Sequence, residues 1–209
     1  MKVEGDFLFN GPREEVWEIV RDPEVLATAL PGTKSLNQVG ENEFEGEMNV
    51  RVGPVAGLFA GRLIVSNEVP PERCTLSVEG KGNSGFVNGI GNIILSDQGD
   101  GTTMMKYEGD AQVGGRLASV GQRLLDTASK SMIRQGLEAL NLALLARMAS
   151  KSDGGNIEFT PPSESKFAAA VAKDISKEML SSPVVRVVIA ILVILVIAAV
   201  IWLSTNPGG

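Results

Sequence analysis

Few side chains in this sequence could do chemistry. The chain has no histidine, so a Ser/His/Asp triad, a Cys/His dyad, His-ligated zinc and a histidine general base are excluded. Cys74 is the only cysteine; it cannot close a disulfide within the chain or build a four-thiolate metal site, which fits a reducing compartment. Carboxylates are plentiful, but Glu43, Glu45, Glu47, Glu108 and Asp110 alternate with apolar or small residues, a spacing that sends them to the solvated face of strands. Asp126 and Glu138 remain on a helix, Asp126 among Thr127, Ser129 and Lys130. A pocket acid or base of the kind a cyclase or hydratase needs is not evident, so the expectation is a protein that is not an enzyme, with no intrinsic cofactor. Gly89-Ile90-Gly91 and Gly114-Gly115 lack the Lys-Ser/Thr of a P-loop and the spacing of a dinucleotide fingerprint. The remaining polar group of interest is the hydroxyl of Tyr107, which must find a partner if buried.

The other candidates are apolar and would bind rather than react. Met48, Val50, Met105 and Tyr107 lie on the apolar faces of two alternating stretches, and Leu117, Val120, Gly121, Leu124 and Ala128 on a helical stripe. Facing one another, they would line an apolar cavity, with Gly121 allowing close approach. The loop Val52 to Phe59, including Val55, Leu58 and Phe59, is unusually apolar for a hairpin tip and reads as the lip of that cavity, or as a segment packed on the helix. Glycines at 46, 53, 57, 61, 80, 82, 85, 89, 91 and 109, with only ten aromatic residues in 209, leave space in the wall; the competing explanation is that they serve bulges and bends of a curved sheet.

The elements that must position these residues follow from periodicity. Strands are predicted at 3–9, 33–39, 43–52, 57–69, 73–81, 86–96 and 104–113, about seven and mostly antiparallel. Pro12 followed by Arg13-Glu14-Glu15 starts one helix, Pro23 starts a short one reaching about Ala29, and a long helix is predicted from near Gly115 to about Met148. Strands run together between helices imply an α+β fold, a curved antiparallel sheet wrapped around the long helix.

Beyond a domain spanning 1–148, the polar Gly/Pro-rich stretch 149–165 reads as a flexible linker. Residues 166–182 place Phe167, Val171, Ile175 and Met179 four apart, the pattern of an amphipathic juxtamembrane helix. Residues 184–203 are interrupted only by Arg186 and are long enough, at about 1.5 Å per residue, to cross a bilayer. Lys166, Lys173, Lys177 and Arg186 precede this span and no Lys or Arg follows it. The expectation is a single-pass anchor in the cell inner membrane with the domain in the cytoplasm. The formal charge of −6 and the scarcity of Trp and Tyr argue against nucleic acid.

The ordered set Leu30-Pro31-Gly32, Val52-Gly53-Pro54 with Phe59-Ala60-Gly61, Gly80-Lys81-Gly82, Asn88-Gly89-Ile90-Gly91 and Val113-Gly114-Gly115-Arg116-Leu117-Ala118-Ser119-Val120-Gly121-Gln122-Arg123-Leu124 resembles the CoxG family of carbon monoxide dehydrogenase components, within the START-like (SRPBCC) helix-grip superfamily. The resemblance covers roughly residues 1–147. Thr33 stands where members often have Cys. The resemblance implies a helix-grip fold with an internal apolar cavity and, as partner, a molybdenum carbon monoxide dehydrogenase or related hydroxylase at the membrane. Joined to the anchor, it suggests a carrier of an apolar lipid-like ligand, most plausibly a respiratory quinone such as menaquinone, linking the dehydrogenase to membrane electron transport. The alternative is a membrane recruitment or assembly factor without a ligand.

Overall fold

The computed structural model describes residues 1–30 and 32–153. The linker from 154 onward, the amphipathic stretch 166–182, the span 184–203 and Pro31 of the Leu-Pro-Gly string lie outside the described residues. No helix among the described residues is long and apolar enough to cross a membrane.

Seven strands, β1 (Lys2–Phe9), β2 (Thr33–Gly40), β3 (Glu43–Val52), β4 (Val55–Val69), β5 (Arg73–Gly82), β6 (Gly85–Asp97) and β7 (Thr103–Gly114), form one antiparallel sheet in the order β1-β7-β6-β5-β4-β3-β2. Strands β2 to β7 follow one another as a meander, and β1 closes onto β7. Helices α1 (Arg13–Arg21) and α2 (Pro23–Ala29) connect the two edge strands, and α3 (Gln122–Asp153) crosses the inner face. The α+β, helix-grip architecture expected from the strand and helix order is the one observed.

Local chemistry accounts for the helix ends. Asp22 accepts hydrogen bonds from the Glu24 and Val25 N–H groups at 3.0 and 3.3 Å, with Pro23 opening α2, so two otherwise orphaned donors are satisfied. The last turns of α3 are held by surface ion pairs, Lys151 Nζ on Glu15 at 2.6 and 2.8 Å and Arg147 on Asp22 at 3.6 Å. Such pairs orient α3 more than they stabilise it, at about 0–1 kcal/mol each.

Two boundaries differ from the sequence-based expectation. The long helix does not open at Gly115: residues Gly115–Val120 form a 3₁₀ turn and α3 begins at Gln122. Gly115 and Gly121 both have positive φ, +73° and +91°, which a continuous α-helix of L-residues cannot accommodate. At its other end α3 continues through Asp153, five residues into the stretch read as linker.

The core is split in two. One cluster, at the end where α1, α2 and the last turns of α3 meet, contains Phe9, Val16, Trp17, Ile19, Leu26, Phe44, Leu95, Met105, Leu140 and Leu144. The second, at the start of α3, contains Val52, Val55, Phe59, Leu117, Leu125 and Ala128, with Val50, Val87, Val113, Val120 and Leu124 packed against it.

Candidate functional site

The middle of the sheet's inner face lies between the two clusters and carries few side chains. Alternation along each strand assigns the inward positions: Phe59, Gly61 and Leu63 on β4; Cys74, Leu76, Val78 and Gly80 on β5; Val87, Gly89, Gly91 and Ile93 on β6; Met105, Tyr107 and Gly109 on β7. Register brings the glycines together, Gly61 opposite Gly80, Val78 opposite Gly89 and Gly91 opposite Gly109. Val78 is the telling residue. It faces inward like its buried neighbour Cys74, yet is 41% exposed, so open space lies over the centre of the sheet.

Across this space α3 presents its most polar buried stretch. Ser131 is buried, and its Oγ accepts a hydrogen bond from Gln135 Nε2 at 2.9 Å. Met132 is half-buried beside it. On the sheet side, Tyr107 is half-buried, and among the described residues its hydroxyl has no hydrogen-bond partner. Burial, and secondarily the nearby Asp6 carboxylate, raise its pKa above that of a free phenol. An apolar trough with a serine, a glutamine and a phenol near its floor and walls suits an elongated apolar molecule with a hydrogen-bonding head.

The glycines divide into two kinds. At Gly109 an added Cβ would sit 2.6 Å from the Ile90 carbonyl oxygen, and at Gly46 it would strike the Ser35 carbonyl; these glycines serve sheet curvature and register. At Gly80 and Gly89 the nearest atoms are at 3.8 and 3.5 Å, ordinary contact distances. A side chain would fit there against the backbone, so the missing side chains at 80 and 89 leave the trough open rather than allow a bend.

The residues proposed from sequence are distributed unevenly. Val50, Val55, Phe59, Leu117, Val120, Leu124 and Ala128 do come together, but as the second cluster, which closes one end of the trough. Met48 and Tyr107 flank its middle, both half-buried and inward. Met105 is buried in the far cluster with Phe9 and Leu95, away from the rest. Leu58 turns to the outer face, 46% exposed, because it alternates with the buried Phe59. Gly121 allows no close approach: an added Cβ would meet nothing within 4 Å, and its requirement is the positive φ that separates the 3₁₀ turn from α3. Half of the apolar lip is buried after all, Val52 and Val55 lying under Leu117 and Leu125.

Sequence reasoning missed Val78, Ser131 and Gln135, and used Gly80 and Gly89 only as members of a long glycine set. The parity of β5, set by Cys74 and Leu76, is the signal that could have found Val78. Thr33, notable in the sequence only for standing where related chains have Cys, has its Oγ1 buried without a partner opposite Met48.

The carboxylates fall where alternation sends them. Glu45, Glu47, Glu108 and Asp110 are exposed on the outer face. There, Glu45, Glu47, Arg62, Glu79, Lys81 and Asn88 border a groove of ≈ 850 Å³. Arg62 pairs with Glu43 at 2.6 Å, which lowers the Glu43 pKa through the hydrogen bond to that guanidinium. A groove so charged is a poor receptor for an apolar molecule, and the inner trough is the better candidate.

The family model of CoxG, described as a component of carbon monoxide dehydrogenase, matches residues 5–145. Among curated proteins none matches the chain. Among solved structures, a conserved protein of Geobacillus kaustophilus is 31% identical, with a TM-score of 0.67 over 69% of this chain and 95% of its own. A START superfamily protein of Mycobacterium smegmatis is 13% identical, with a TM-score of 0.53 over 69% and 97%. The Zhui aromatase/cyclase of Streptomyces sp. R1128 is 13% identical, with a TM-score of 0.53 over 75% and 99%. At those last identities the likeness is one of fold, and it extends to an enzyme without carrying that enzyme's chemistry here.

Proposed function

The chain belongs to the CoxG family of carbon monoxide dehydrogenase components, and from that premise we propose that it is a non-catalytic accessory protein of a molybdenum carbon monoxide dehydrogenase that carries an apolar ligand, a respiratory quinone such as menaquinone, between the bilayer and the enzyme. The observation that supports a ligand is the interrupted core: Val78 faces inward and remains 41% exposed over glycines 80 and 89. A protein that only recruited its enzyme would gain from filling that space, since burying one aliphatic side chain contributes about 1.5–3 kcal/mol.

The residues divide the work by their chemistry. Gly80, Val78 and Gly89 on the sheet and Met132 on α3 would hold the isoprenoid chain by dispersion and exclusion of water. Tyr107, whose hydroxyl is uncommitted, or Gln135 would donate to a quinone carbonyl. Leu117, Val55 and Phe59 close one end of the trough. Residues 184–203 would anchor the chain, keeping the domain within reach of the membrane that dissolves its ligand. The carrier needs no acid or base because it transfers the molecule whole.

Native mass spectrometry with lipid extraction tests the proposal on residues 1–153. That segment spans 95% of the length of the Geobacillus kaustophilus protein and contains both core clusters, so it folds as a unit. A quinone bound near one per chain is the expected result. A folded fragment that stays empty when menaquinone is supplied would leave the recruitment role in its place.

A further inference from the structure

Charge is segregated along the axis of α3. The β3–β4 turn, the β5–β6 turn, the 3₁₀ turn and the first turn of α3 meet at one end of the domain. A Cβ on Gly53 would touch Leu124 Cδ2 at 3.0 Å, the Leu117 N–H donates to the Ser84 carbonyl at 2.8 Å, and Ser84 Oγ donates to the Ala56 carbonyl at 2.9 Å. Residues 51–57, 81–87 and 112–125, which build this end, contain Arg51, Lys81, Arg116 and Arg123 and not one Asp or Glu, in a chain of net charge −6. The Met1 ammonium, donating to the Ala111 carbonyl, adds a further positive charge. The first acid along α3 is Asp126, which accepts from Gln122 Nε2 at 3.0 Å. At the other end α1 and α2 carry Glu14, Glu15, Glu18 and Glu24.

Apolar side chains stand among these bases. Leu58 is 46% exposed and Phe86 41%, and Pro54 at the β3–β4 tip is exposed. Arg51, Lys81, Arg116 and Arg123 are themselves exposed. Basic groups around apolar tips are what a surface needs to meet anionic headgroups above an acyl boundary. A surface for nucleic acid would instead want aromatic platforms, and the chain's one tyrosine and two tryptophans are elsewhere.

We propose that this end docks on an anionic phospholipid surface, with Arg51, Lys81, Arg116 and Arg123 on the lipid phosphates and Pro54, Leu58 and Phe86 reaching toward the acyl chains. The docked end is the one closed by Leu117, Val55 and Phe59, so lipid contact acts directly on the residues that seal the trough. This orientation extends the carrier reading but stands on separate observations, the distribution of charge and of exposed apolar groups. The tether permits it. Although α3 leads away for about 48 Å (32 residues at about 1.5 Å each), the thirty positions 154–183 can span up to about 100 Å when extended.

Flotation of residues 1–153 with vesicles tests the proposal, using phosphatidylcholine alone and phosphatidylcholine with a minor fraction of phosphatidylglycerol. The fragment is expected to bind only the anionic vesicles and to be released by salt. The combined Arg51→Gln, Arg116→Gln, Arg123→Gln variant should bind on the order of 100-fold more weakly, each basic residue near such a surface contributing about fivefold. Leu58→Ser with Phe86→Ser should weaken binding while leaving the salt dependence. Absence of wild-type binding to the anionic vesicles would overturn the proposal, as would equal binding by the arginine variant, the result expected of an end that docks a protein. Menaquinone titration of the arginine variant in detergent separates the two readings: it should match wild type, and a wild-type fragment that floats with lipid but takes no quinone would end only the carrier reading.

Discussion

Tyr107 on β7 lies across Gly5 of β1. The two are register partners, and a Cβ on residue 5 would run into the Tyr107 ring and hydroxyl. The glycine lets the ring lie flat along the inner face, which half-buries the phenol at the margin of the trough, an arrangement by which an aromatic covers the gap a strand glycine leaves.

Because Tyr107 is the only tyrosine, its titration can be read without interference. Phenolate absorbance should rise at a pH above that of free tyrosine in the folded domain and revert to the ordinary value in denaturant, since burial followed by the Asp6 charge raises the pKa. A bound quinone accepting from the hydroxyl should raise it further. A midpoint equal to that of the unfolded chain would show the phenol to be solvated.

Gly5→Ala should displace the ring, cost about 1–2 kcal/mol in chemical denaturation, and lower the Tyr107 midpoint toward that of free tyrosine. Unchanged titration in this variant would mean that the ring does not depend on Gly5.

Gly80→Leu and Gly89→Leu should fill the trough without clashing with the backbone, as their nearest neighbours lie at 3.8 and 3.5 Å. Stability should be unchanged or rise by up to about 1 kcal/mol, while quinone affinity falls at least about tenfold, or about 1.4 kcal/mol. Gly121→Leu, attractive from sequence alone, should not act by filling, because that position faces open space and has a φ of +91°. A titration of each variant with menaquinone in detergent distinguishes them.

Met105→Ala and Leu117→Ala should separate stability from closure. Each removes a side chain no more than 3% exposed and should cost about 2–5 kcal/mol in urea unfolding. Only Leu117→Ala opens the end of the trough, so only it should speed ligand release measured by stopped flow. Equal release rates would remove Leu117 from the seal.

Cys74 gives the pH dependence of stability. Burial, and next the Glu68 charge, push its thiol up to about 11 from an ordinary value of 9.0. Between those values the unfolded chain has lost the proton and the folded chain has kept it, so unfolding free energy falls as pH rises from 9 to 11, by roughly 2 kcal/mol at 1.36 kcal/mol per unit. The contribution is fully present below pH 9. Cys74→Ala should flatten that part of the profile in denaturation series across the window; an identical slope in the variant would assign the loss to other groups.

Most of the fold was legible because strands with one wet face announce themselves. Glu43 to Arg51 and Met104 to Val113 alternate cleanly, and both strands formed where alternation put them. The start of the long helix was misread because Leu117, Val120 and Leu124 keep a helical spacing straight through a 3₁₀ turn, and only the φ of Gly115 and Gly121, which sequence does not display, interrupts it. The trough was the least legible part. On β6 the outward positions are Phe86, Ile90 and Ile94 and the inward ones include Gly89 and Gly91, so hydrophobic periodicity points to the wrong face. Residues that bind by leaving room give no pattern, and the apolar candidates that do form one, Val55, Phe59 and Leu117, proved to be packed against one another.

The most direct measurement is a menaquinone titration, by native mass spectrometry, of residues 1–153 and of the Gly89→Leu variant side by side. The account requires near-stoichiometric binding by the first and at least about a tenfold loss in the second, with Tyr107 titrating normally for the folded state in both. Equal binding by the two proteins, or none by the wild type, would contradict the trough over Val78 as the ligand site.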